Sequence, residues 1–143
     1  MNVIVTEEQL IKFYDFVFIR TVWFQIRGNM EDFHSTGTSK ELSQDDMMNF
    51  NIKTIDLISD FYENQHGIFK KDIPELCKLI INNVPEILGK VSNKKLLYSE
   101  IKSGIISGLD VMKQVKTPKD ILLRFSHLPP YVRGEYSNMF IKK

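Results

Sequence analysis

Residues 7–27 read EEQLIKFYDFVFIRTVWFQIR, and the class of fold turns on how they are read. Stepping 100° per residue around an α-helix puts Leu10, Phe13, Tyr14, Val17, Thr21 and Phe24 on one face. Phe16, Ile19, Trp23 and Ile26 cover much of the other. A helix that is apolar nearly all round is buried at the centre of a protein or lies against a partner. Thr6 is its expected N-cap, with Gln9 at the reciprocal capping position three residues on. The alternation Val22, Phe24, Ile26 leaves a strand as the alternative. A membrane span is not expected. Lys12, Asp15, Arg20 and Gln25 interrupt the apolar run from Leu10 to Ile26, and a span needs about 20 nearly uncharged residues.

Downstream, the pattern stays helical. Gly28 is the expected stop of the first helix. Residues 28–42, rich in Gly, Ser and Thr, are expected to form a long loop, and loops of that length are often functional. Ser43 and Asp46 predict a cap for a helix over 44–65. Its apolar arc is Met47, Phe50, Thr54, Leu57, Ile58, Phe61 and Tyr62. Further helices are expected over 72–81, as a short turn over 85–89, over 93–115 and over 117–126, the last opened by Thr117-Pro118. Residues 129–143 read as a tail after Pro129-Pro130, with a short last helix as an option. The whole is expected to be an all-α, single-domain bundle of five or six helices.

Within 93–115, Leu97, Ile101, Gly104, Ile105, Gly108, Met112 and Val115 share one face. A glycine inside a helix costs about 1 kcal/mol relative to alanine. Two on a buried face predict close approach of another helix backbone, and the chain contains no alanine at all to fill that role.

The 143 residues carry a net charge of +1, but the ends differ: −5 over 1–70 and +6 over 71–143. Such asymmetry implies two complementary surfaces in one fold, head-to-tail self-attraction, or a basic face for nucleic acid or an acidic partner. Cys77 is the only cysteine, so no intramolecular disulfide forms. The expected compartment is reducing, cytoplasmic and intracellular. The skew toward Ile, Asn, Lys, Phe and Tyr with few Arg suggests an AT-rich genome, such as that of a phage or virus.

Candidate functional residues fall into three sets. Phe16, Arg20, Trp23 and Arg27 cluster on one side of the first helix and are expected to bind a protein partner or a second copy, because Trp and Arg are enriched in binding hot spots. Lys95, Lys102 and Lys113 share a polar helix face that would contact phosphates if the protein binds nucleic acid. Arg27 and His34, separated by six residues, resemble the arginine–histidine motif of HEPN-type RNases over an eight-residue stretch. That resemblance implies a small helical RNase in which the two side chains act at the RNA phosphate across a dimer interface. Glu31 with His34 and Glu63 with His66 have the spacing of a carboxylate-bridged metal site, but such a site needs both pairs on helices plus two more inward glutamates, and Glu31 and His34 are expected in the loop while Glu63 points to the polar arc of 44–65. No metal and no cofactor is expected. The leading expectation is a non-enzymatic helical interaction or adaptor protein.

Overall fold

Thr6 opens the first helix as expected: its hydroxyl accepts from the Gln9 amide at 3.1 Å, and the Gln9 carboxamide oxygen accepts from the Thr6 amide at 2.9 Å. In the computed structural model the chain is described over residues 6–35 and 42–140, except for the side chains of 33–35, 86, 88 and 137–140. The described residues form an all-α fold without strands. Seven α-helices occur among them: α1 (Glu7–Ser35), α2 (Gln44–Gln65), α3 (Ile73–Asn82), α4 (Pro85–Lys90), α5 (Lys94–Lys113), α6 (Pro118–Ser126) and α7 (Pro130–Phe140). A 3₁₀ turn, Lys70–Asp72, precedes α3. The short last helix that the sequence leaves as an option is formed, as α7.

The expected loop over 28–42 is corrected in its first half. Helix α1 continues through Gly28 to Ser35, a length of 29 residues. Tertiary contacts outweigh the glycine's poor propensity. Met30 is fully buried, the Asn29 side chain donates to the Glu100 carbonyl at 3.0 Å, and Arg27 pairs with Glu31 across the glycine at 3.0 Å. Residues 36–41 of that expected loop lie outside the described residues.

Helix α1 is the axis of the bundle and packs most extensively against α5. The two run antiparallel: Gly108 lies against Val22, Gly104 against Ile26, and Glu100 against Asn29. A Cβ added at Gly104 would stand 2.6 Å from the Ile26 Cα, and one at Gly108 would stand 2.6 Å from the Val22 Cα. Each distance is inside van der Waals contact, so the glycines set how closely the axes approach. The expected face is buried along α5, which ends at Lys113; Val115, beyond that end, is partly buried.

Helix α2 packs beside α1 through the arc read from the sequence, and Tyr62 donates to an Asp15 carboxylate oxygen at 2.6 Å. Helices α6 and α7 close the other side. Phe125 of α6 and Tyr136 of α7 form an aromatic cluster with Phe13 and Phe16, at ring separations between 4.7 and 6.4 Å. The Arg124 guanidinium donates to the buried Thr21 hydroxyl at 3.2 Å. The apolar surplus of α1 is thus absorbed by helices on several sides of it. No helix among the described residues is long and apolar enough to cross a membrane.

Candidate protein-binding groove

Residues four apart on a helix stack one above the other along the same face. Three helices use that spacing to line one open trough of about 520 Å³. Helix α1 supplies Trp23, Arg27 and Glu31 along the floor. Helix α2 supplies Met48 and Ile52 to one wall. Helix α7 supplies Tyr131 and Glu135 to the other. Trp23 is only 5% exposed, while Met48, Ile52 and Tyr131 are 61%, 55% and 55% exposed.

The floor is held rigidly. The Trp23 ring N–H donates to the Asn51 carbonyl at 3.0 Å, and Tyr131 meets the indole edge-to-face at 6.4 Å. The Arg27 guanidinium lies 5.9 Å from the indole centroid and pairs with Glu31. Arg20, one turn back along α1, stacks over Phe16 at 4.3 Å and reaches Glu135 at 3.7 Å. Burial lowers the Arg20 pKa, and Glu135 opposes that shift. Among the described residues no donor reaches the buried side-chain oxygen of Asn51.

Because Arg27, the arginine that lines the trough, pairs with Glu31, it does not stand there as a free cation. The rim of the trough carries Glu31 and Glu135, and Asp45 and Asp56 are exposed on the same helix as Met48 and Ile52. Glu31 and Glu135 are paired with arginines, so the negative charge beside the apolar wall is that of Asp45 and Asp56.

The four partner-binding residues expected on α1 separate in the structure. Phe16 is buried under Phe125 and Tyr136 and lines no part of the trough. Trp23 is likewise mostly covered, but its remaining edge and Arg27 do line the trough. Arg20 sits behind Glu135. What the sequence reading missed is the wall. Met48, Ile52 and Ile55 have i, i+4, i+7 spacing outside the main buried arc of α2, a second apolar stripe that was legible as a pattern. Tyr131 and Glu135 lie in the segment after Pro129-Pro130, where the sequence leaves a last helix only as an option and no apolar arc marks a facing wall.

The other candidates stand as follows. Lys95, Lys102 and Lys113 are exposed on α5, with Lys113 facing Asp110 at 3.9 Å. Arg27 and His34 both lie on α1, and the His34 side chain is outside the described residues. Cys77 is buried, and burial pushes its thiol up to about 11, which keeps it protonated. Among the described residues no group of three or more His, Cys, Asp or Glu is placed to hold a metal.

The fold and trough together define a class: an all-α bundle with an open groove formed by three of its helices. No family model, no curated protein and no solved structure matches the chain.

Proposed function

We propose that the protein is a helical interaction module that acts by binding another polypeptide in the trough between α1, α2 and α7. The observation that carries this reading is the exposed apolar trio Met48, Ile52 and Tyr131 around the rigidly held Trp23. A deep aromatic ringed by apolar contacts and a polar rim is the anatomy of a binding hot spot. Grooves of this kind accept side chains spaced one turn apart on an amphipathic helix. The trough favours a polypeptide over a phosphate backbone, because nucleic-acid binding calls for free cationic side chains and Arg27 is engaged by Glu31.

The test is site-specific photo-crosslinking in the cell that naturally carries the protein. Ile52→benzoylphenylalanine is expected to give a discrete adduct identifiable by mass spectrometry. The same photoreactive residue at Lys102, exposed on α5, is expected to give none of that mass. Absence of any discrete adduct from position 52 overturns the reading.

A further inference from the structure

Helix α6 carries a feature that the trough does not use. Ile121 and Phe125 turn inward, while Leu122 and Leu123 stand 60% exposed, side by side. Lys119 precedes them by three and four residues and so shares their side of the helix. Lys116 is exposed at the helix start. The one carboxylate of this segment, Asp120, is turned to the helix start, where it accepts from the Lys116 and Thr117 amides at 3.1 Å each. The exposed surface of α6 is therefore an apolar pair flanked by positive charge.

From these two surfaces we infer that the occupant of the trough is α6 of a second copy of this chain, docked head-to-tail. This rests on the reading of the trough as a protein-binding surface. Leu122 and Leu123 are the apolar anchors that Met48, Ile52 and Tyr131 would enclose. Lys116 and Lys119 match Asp45 and Asp56, which are exposed on α2 along with Met48 and Ile52. The match follows the charge division of the whole chain, −5 over residues 1–70 and +6 over 71–143. Helix α6 lines no part of its own chain's trough, so one molecule leaves both surfaces open. Contact between two different patches is heterologous, and repetition closes a ring or extends a filament. Complementary charge also makes the association sensitive to salt.

Sedimentation of the purified full chain tests this. The weight-average mass is expected to rise above 16.7 kDa as concentration goes from micromolar to millimolar, and to fall back in high salt. Ile52→Glu, in the trough, and Leu123→Glu, on α6, are each expected to stay at the monomer mass. Mixed together they are expected to form one species of twice that mass, because each retains the surface that the other has lost. Both positions are exposed, so folding is expected to survive, and Leu122→Ser/Leu123→Ser gives the same readout with a milder change. A native chain that stays monomeric throughout overturns the inference, as does self-association that persists in Leu123→Glu or a mixture that fails to pair. Should the native chain be monomeric while the position-52 crosslink captures a different protein, the inference fails and the interaction reading stands. If both are negative, both fail.

Discussion

At the scale of single residues, three glycines in helices have opposite roles. Gly104 and Gly108 leave no room for a methyl group, since the nearest atoms are backbone atoms of Ile26 and Val22. Backbone cannot swing aside as the end of a side chain can. Overpacking of a tight core costs about 1–3 kcal/mol, against about 1 kcal/mol gained in helix propensity. Gly104→Ala and Gly108→Ala are therefore expected to lower the thermal midpoint. Gly28 lies in the same helical state with nothing within 4 Å of an added Cβ. Gly28→Ala is expected to raise the midpoint, through a gain of about 0.5–1 kcal/mol. Calorimetry on the three variants decides the matter, and a rise in all three would contradict the close α1–α5 contact. Gly67 needs glycine for a different reason, because its φ of +142° is a conformation that side chains rarely adopt.

At the scale of elements, helix starts are governed by local chemistry and helix ends by context. Thr117 and Asp120 cap α6 reciprocally, with the Asp120 amide donating to the Thr117 hydroxyl at 3.2 Å. Hydrogen bonds from the Lys116 amide, first, and then from Thr117 hold the Asp120 carboxyl below its ordinary range. A carboxyl whose folded pKa is depressed stabilises the fold above its unfolded value of about 3.9, and that contribution is lost as pH falls through the folded value. Asp120→Asn is thus expected to lower the melting temperature at neutral pH. Its deficit relative to the native chain is expected to shrink as pH falls from about 4 through the depressed folded value, below which the native carboxyl is neutral too. A deficit constant from neutral to acidic pH would show that charge at this cap is irrelevant. The end of α1 follows the other rule. Gly28 is a sound local stop signal, yet the helix passes through it, because the bonds holding the next turn come from Glu100 and Glu31, one of them 71 residues away.

At the scale of the whole molecule, the bundle is closed by its last two helices. Phe125 and Tyr136 cover Phe13 and Phe16 of α1, so the C-terminal part of the chain completes a core begun at the N-terminal end. Phe125→Ala is expected to cost about 3 kcal/mol, at the lower end for a buried ring because Phe125 is only partly covered. Urea unfolding is the measurement. Trp23 fluorescence and far-ultraviolet circular dichroism are expected to give coincident transitions in native and variant chains, since the indole sits in the same continuous core. Transitions that separate in the native chain would mean that α6 and α7 unfold as an independent unit.

The helical class, the capped starts of α1, α2 and α6, the buried arc of α2 and the close approach at Gly104 and Gly108 were all legible in order and spacing alone. Caps act over three residues and amphipathic arcs over a few turns, so a linear reading contains everything they depend on. The trough was legible only in part. Trp23 and Arg27 stood out as residue types, but whether they face a partner, a neighbouring helix or both depends on how α2 and α7 lie across α1. That placement arises from contacts far apart in the chain, such as Trp23 with Asn51 and Tyr131, and Arg20 with Glu135. Tertiary packing buried Phe16, left the edge of Trp23 open and set Met48, Ile52 and Tyr131 around it, because burial is a property of the assembled helices and not of any one of them.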